Sequence, residues 1–295
     1  MNLGQILLLL DQLRLVILFG LGCLSLLFLI LRAKWPYWLM LFLTGLPLCY
    51  PLVSHWHSAQ DHPNPVTLPL KVMHQNCWGE NPDTDAIFDH IQESQADVVM
   101  LQECPPKLYW RIRKELCPQG YALSSDFENY DPRHHHRYNR LVILTKGFKV
   151  LKRYKLKDHP VLVIYGRSFK TGERYRFVNV HLERCYNVTE EYYQGIANQL
   201  GNFDGKTILS GDFNLVPWSH YYLKFCQMLG LKDGLKGCGL IASFPAPRNA
   251  KAGYKAPAFL PIDRLLLTPG IRTQRVDRLP CLGSDHYGFI AQIAS

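Results

Sequence analysis

Two long apolar runs open the chain, and short ones fill the rest. Residues 15–31 (LVILFGLGCLSLLFLIL) carry no charge, and after Arg32-Ala33-Lys34 a second run covers residues 35–53. Each is long enough to cross a bilayer as a helix. The first sits at the lower limit and lengthens toward Leu8 only by taking in Asp11 and Arg14. Trp35, Tyr37 and Trp38 fall where an interfacial aromatic belt would lie. Pro36 is tolerated near a helix start, whereas Pro47 would kink the second helix. A cleaved signal peptide is the alternative for the first run, and a buried helical pair the alternative for both. Two successive runs with a basic turn fit a membrane hairpin over residues 1–54 better. Arg32 and Lys34 would keep that turn in the cytoplasm, placing the N-terminus and everything after residue 54 on the far side.

Residues 55–69, with His62-Pro63-Asn64-Pro65 and Leu68-Pro69, read as a linker. Beyond it the apolar period shortens. Residues 69–76 (PLKVMHQN) read as a strand, and 83–94 carry a helical stripe at Ala86, Ile87, His90 and Ile91. Residues 97–101 (DVVML) read as a buried strand ending at Gln102-Glu103, and Pro105-Pro106 opens a helix over 107–116. Strands are expected at 141–145, 150–156, 161–166 and 175–181, then a helix at 189–200. A short strand, 207–209, breaks at Ser210-Gly211, where glycine allows a tight turn. A helix over 217–229 and strands near 262–267, 272–279 and 287–293 complete the chain. This alternation predicts an α/β sandwich of two sheets flanked by helices, one domain spanning 70–295.

Composition changes that picture little. Hydrophobic residues make up 47% of 295 and charged residues 19%, which excludes a disordered chain. Without the three basic and one acidic side chains of 1–54, the remainder holds 30 basic against 23 acidic groups. That excess of +7 favours an anionic partner: nucleic acid, anionic lipid or a phosphate ester. Nine cysteines, two of them in the apolar segment, include no C-x-x-C pair, so neither a zinc ribbon nor a complete disulfide framework is indicated.

The chemistry collects at strand ends. Asn76 follows LKVMHQ, Glu103 follows DVVMLQ, and His181 follows YRFVNV. Asp212 and Asn214 follow KTILSG; Asp263 precedes RLLL; Asp285 and His286 precede the last strand. Asp212 and Asn214, at i and i+2 in a strand-like segment, would point to one side. Any one of these residues has an ordinary explanation as a turn or cap. Six strand ends bearing Asp, Asn, Glu or His are better explained by one shared site, because ligand sites in open α/β sheets lie at strand termini.

The ordered set Asn76, LQE (101–103), VHL (180–182), GDFN (211–214), PID (261–263) and SDH (284–286) resembles the endonuclease/exonuclease/phosphatase superfamily, whose fold is the four-layer, DNase I-like α/β sandwich. The two apolar runs and Pro217-Trp218 resemble its membrane-anchored, YafD-like bacterial branch. That resemblance implies metal-assisted hydrolysis of a phosphate ester by a protein of the bacterial inner membrane, with its domain on the periplasmic side. Glu103 would hold a divalent cation, Mg²⁺ with Mn²⁺ as substitute, since hard cations choose carboxylate oxygens. Asp285 and Asn76 would complete the metal site. Asp212 would accept a hydrogen bond from the attacking water. Asn76 and Asn214 would hold phosphate oxygens, with Arg140 and Trp218 as further substrate contacts. His286 would touch the scissile phosphate, oriented by Asp263, and His181 would donate to the phosphate or the leaving oxygen. No protein partner is implied.

Two features depart from the family pattern. Around Asn76 the motif reads Gln75-Asn76-Cys77-Trp78, so only Asn76 carries over. Arg264 stands where an aromatic residue or histidine is common, a position expected to shape substrate contact. The basic run Arg133-His134-His135-His136-Arg137 reads as a phosphate-binding loop or as a solvated surface. Arg248, Lys251 and Lys255 have the same two readings. Substrate remains open between nucleic acid and a phospholipid or sugar phosphate. An inactive module that only binds an anionic ligand is the reading from another class, against which the intact acidic and histidine set argues.

Overall fold

The computed structural model describes residues 3–32, 34–56, 69–127, 140–184, 187–248 and 257–294. The chain opens with two helices, α1 (Leu3–Ile30) and α2 (Trp35–Trp56), which run antiparallel: Arg14 Nη1 donates to the Pro47 carbonyl at 3.2 Å, and the Phe28 and Tyr37 rings meet at 5.6 Å. By length and composition both are apolar enough to cross a membrane, over Leu8–Ile30 and Trp35–Val53. Of the 18-residue apolar window in each, 0% and 6% is buried, so neither is a core helix of the domain that follows, although Leu8 and Gln12 near the start of α1 are buried. Residues 57–68 of the expected linker lie outside the described residues.

The remaining elements are β1 (Leu70–Asn76), α3 (Thr84–Ser94), β2 (Val98–Gln102), α4 (Pro106–Glu115), β3 (Ala122–Ser125), β4 (Val142–Thr145), β5 (Phe148–Lys155), β6 (Val161–Ser168), β7 (Arg174–His181), α5 (Glu190–Leu200), β8 (Lys206–Asp212), α6 (His220–Leu229), β9 (Lys232–Asp233), β10 (Asp263–Leu267), β11 (Arg272–Arg278) and β12 (Phe289–Ala294). They form two six-stranded sheets, β11-β12-β1-β2-β4-β3 and β5-β6-β7-β8-β10-β9. Within them β1–β2 and β7–β8 are parallel and every other pair is antiparallel.

Strand periodicity explains the four layers. Val72, Val98, Met100, Leu162, Ile164, Phe177, Ile208, Leu265 and Leu267 meet between the sheets. Their neighbours in sequence point the other way: Met73, Val99 and Leu101 pack under α3 and α4, while Val163, Val178, Leu209 and Leu266 pack under α5 and α6. With both faces covered, the inner strands read as continuous apolar runs, which is why they are legible from sequence.

At one strand the expectation fails. β8 does not break at Ser210-Gly211; it continues to Asp212, pairing Gly211 with Val180 on one side and with Arg264 on the other. The glycine is needed for closeness, because a Cβ there would sit 1.9 Å from the Val180 carbonyl oxygen.

Candidate active site

The sheet registers bring the expected residues to one edge of the sandwich. His181 lies opposite Asp212 and Asp212 opposite Asp263, so three strand termini of one sheet converge. In the other sheet Asn76 lies opposite Gln102, with Glu103 next in the chain. Asp285 and His286 lead into β12. Backbone strain is concentrated here: Trp78, Glu103 and Asn214 adopt φ of 57°, 49° and 51°, the left-handed region that side chains disfavour.

The innermost part is a buried hydrogen-bonded chain. Asp263, fully buried, spends both oxygens on imidazoles: Oδ1 on His74 Nε2 and Oδ2 on His286 Nδ1, each at 2.7 Å. His286 Nε2 then faces Asp212 Oδ2 at 3.7 Å. Burial alone would push the His286 imidazole down, but Asp263 and then Asp212 reverse this and raise it to about 10, leaving it cationic at neutral pH. Burial would likewise raise Asp263, yet His286 and His74 together hold it well below the usual carboxylate range. Asp212 goes the other way: burial raises it, His286 pulls it back, and Asp263 adds to the rise.

Asp212 is also tied from both sheets. Its Oδ2 accepts from Asn76 Nδ2 at 3.1 Å, and its Oδ1 accepts the Asn214 backbone N–H at 2.8 Å. That second bond makes an Asx turn, so Asp212 and Asn214 are not successive same-side residues of an extended strand. The Asn214 carboxamide instead donates to the Leu182 carbonyl at 2.8 Å. His181 Nε2 stands 3.8 Å from Asp212 Oδ2 and 3.6 Å from Glu103 Oε1.

Beyond this chain the site opens into a cleft of about 870 Å³, whose lining includes Trp78, Glu103, His181, Asn214, Arg248 and Asp285. Glu103 is steadied by the Gly79 N–H at 3.1 Å and by Asn76 Nδ2 at 3.4 Å. Asp285 accepts from Arg248 Nη2 at 3.2 Å, and the Arg248 guanidinium lies 4.9 Å above the Trp78 ring.

Two places offer ligands to a divalent cation. One carboxylate or imidazole atom each from Asp212, Asp263 and His286 lies within 4.8 Å of the others. A cation there must compete with a short bond of Asp263 to an imidazole, among buried side chains that leave little room for the waters a hard cation retains. Glu103 and Asp285 instead present carboxylate oxygens to an open cleft, and they fit such an ion better.

Not every expected residue reaches the cleft. Arg140 braces it from behind, donating through Nη2 to the Gly79 carbonyl at 3.2 Å. Trp218, 6% exposed, turns its Nε1 to the carbonyl of Asp11 in α1 at 2.9 Å. Neither lines the cleft. Arg264 does not shape substrate contact: strand alternation turns it away from Asp263, fully buried, with Nη2 bonded to both Asp233 oxygens at 2.8 and 2.7 Å. The 133–137 basic run, Lys251 and Lys255 lie outside the described residues.

His74 was missed, although a histidine two residues before Asn76 shares its face of the strand. Gln102 and Asn179 were also missed. They bond side chain to side chain across the sheets, and Asn179 Nδ2 donates to the carbonyls of Leu101 and Val142 at 2.8 and 2.9 Å. Only a buried polar residue inside an apolar strand would have flagged either one.

Residues 73–286 match the endonuclease/exonuclease/phosphatase family. The chain belongs to this family of phosphoester hydrolases. Solved structures agree on the fold. D. rerio TDP2 complexed with a single-strand DNA product aligns at TM-score 0.60 and 16% identity, covering 77% of this chain and 99% of that one. A family protein from Leptotrichia buccalis aligns at 0.60 and 17%, covering 77% and 100%. Mannosyl-6-phosphatase Bt3783 of Bacteroides thetaiotaomicron aligns at 0.57 and 17%, also covering 77% and 100%. No match was found among curated proteins.

Proposed function

We propose that this chain is a membrane-anchored, divalent-metal-dependent hydrolase of phosphate esters, built as a hairpin over 1–54, a linker over 55–69 and a catalytic domain over 70–295. One observation carries the reading: the buried Asp263–His286–Asp212 chain is joined through Asn76 to Glu103, which with Asp285 lines the open cleft.

Asp212 accepts the proton of the attacking water, its carboxylate held in line by Asn76 and by the Asn214 backbone. His286, cationic and oriented by Asp263, donates from Nε2 to a phosphoryl oxygen. His181 Nε2 lies within reach of the same space and donates to the phosphate or the leaving oxygen. Glu103 and Asp285, with Asn76 beside Glu103, would hold Mg²⁺ or Mn²⁺. Such an ion supplies Lewis-acid stabilisation of charge on the phosphoryl oxygens. Asn214 completes the cleft wall on the substrate side. Mannosyl-6-phosphatase and the DNA-product complex among the structural neighbours support phosphate-ester chemistry without choosing a substrate.

The helical pair and the basic residues between its helices support an inner-membrane anchor in the YafD-like manner, with the domain in the periplasm. The full chain in detergent, assayed on bis(p-nitrophenyl) phosphate and p-nitrophenyl phosphate with Mg²⁺, Mn²⁺ or EDTA, tests the activity. Turnover insensitive to EDTA, or absent with both metals, sinks the reading. An alkaline phosphatase fusion at the C-terminus, active only outside the cytoplasm, tests orientation; an inactive fusion reverses it.

A further inference from the structure

The membrane helices do more than tether the domain: α1 is docked on the rim of the active site. Gln12, 7% exposed, donates through Nε2 to the backbone carbonyl of Asn214 at 3.0 Å. The Asp11 carbonyl receives Trp218 Nε1 at 2.9 Å. Leu8 enters the core cluster of Phe213 and Leu215, and Leu15 and Leu52 pack on the cluster of Val216, Trp218 and Ile262. Phe244, from that same cluster, lies 5.0 Å from the His286 ring.

These contacts set a depth. Leu15 is the first residue of the uncharged run, and Gln12 precedes it by three residues, about 4.5 Å at the usual helical rise. The polar head-group layer on each face of a bilayer is about 5–7 Å thick outside the hydrocarbon. With the hydrocarbon taken to begin at Leu15, where the uncharged run starts, Asn214 on the cleft wall falls within the layer where lipid phosphates lie.

Resting on the phosphoester-hydrolase reading, we propose that the substrate is the phosphate ester of a membrane amphiphile, taken from the bilayer in which α1 and α2 sit. The water oxygen forms the new P–O bond and the P–O bond to the leaving oxygen breaks. One proton of the water ends on that oxygen, and no other reactant is consumed.

The test uses the full chain in vesicles of phosphatidylethanolamine and phosphatidylglycerol with a minor share of phosphatidic acid. Release of inorganic phosphate and of phosphorylated head groups is compared with hydrolysis of glycerol 3-phosphate, glycerophosphoethanolamine and single-stranded DNA at matched bulk concentration. We expect at least one lipid to turn over about tenfold faster than its soluble counterpart, the gain that confinement beside the site supplies. The double variant Leu15→Asn/Leu52→Asn, which spares every group at the cleft, should lose about tenfold on lipid as that confinement is loosened, while bis(p-nitrophenyl) phosphate turnover is unchanged. Turnover of the chromogenic diester without lipid turnover, faster cleavage of DNA, or a double variant as active on lipid as the parent would overturn the inference and leave the hydrolase standing. No turnover of any substrate with Mg²⁺ or Mn²⁺ would overturn the hydrolase reading itself.

Discussion

The two carboxylate pairs of the site are built for different work. Asp263 and Asp212 lie in the seam between the sheets, 0% and 2% exposed, with oxygens committed to histidine, asparagine and backbone donors. Glu103 and Asp285 stand at the cleft wall with side chains 19% and 18% exposed, held by fewer and longer bonds. A sealed carboxylate polarises an imidazole and fixes its geometry. An open one keeps room for a cation and its waters. On the proposed mechanism the site separates proton handling from charge neutralisation, although both pairs come from strand ends that look alike in sequence.

The largest effect should come from the sealed side. Asp212→Asn keeps the shape and one of the two accepted hydrogen bonds but removes the acceptor for the proton of water, and kcat on bis(p-nitrophenyl) phosphate should fall about a thousandfold. A loss under about tenfold would show that proton transfer does not pass through Asp212.

Next comes Asp263→Asn, which strips His286 of its nearest counter-charge. His286 in the folded chain titrates above its ordinary value, at about 10, so its pairing stabilises fully below about pH 6.5 and that contribution fades as pH rises through about 10. Asp263 is depressed, so its contribution is present above the ordinary carboxylate range and lost as pH falls through it. The variant should therefore lose most stability near neutral pH, about 3–5 kcal/mol for breaking a buried pair. Its activity should fall off at lower alkaline pH as burial pushes the imidazole down. Chemical denaturation across pH and an NMR titration of His286 read both effects; a His286 titration unchanged by the substitution would break the coupling.

How much of this contrast was visible beforehand follows from its physics. The strand ends could be read because buried strands are unbroken apolar runs, so a terminal Asp, Asn or His stands out. The division into sealed and open pairs could not, since it depends on which face each strand turns inward. His74 completes the Asp263 site from 189 residues away, and strand alternation sends Arg264 to Asp233 although it follows Asp263 directly. β3 and β9 escaped notice because one is the half-polar ALSS and the other only two residues long. The docking of α1 on Asn214 joins residues 202 apart, and no local pattern announces it.

On the open side effects should be smaller and read through the metal. Glu103→Gln keeps acceptor and shape but removes charge, so the Mg²⁺ concentration for half-maximal activity should rise about tenfold or more. Asp263→Asn should leave that concentration nearly unchanged, which separates the two pairs experimentally. Equal shifts in both variants would merge them into one electrostatic unit.

The smallest effect sharpens the same division. Arg248 is 64% exposed and its bond to Asp285 competes with any cation for the same oxygen. An exposed ion pair contributes about 0–1 kcal/mol, so Arg248→Ala should hardly change thermal stability. It should instead release Asp285 and lower the Mg²⁺ concentration for half-maximal activity about two- to threefold, the size of shift that so weak a competitor can cause. A rise in KM with that concentration unchanged would mean that Arg248 serves the substrate phosphate and that its pairing with Asp285 is incidental. A fall in the metal requirement places Arg248 as a stand-in for the cation on the open carboxylate, a role for which the sealed Asp263 has no vacancy.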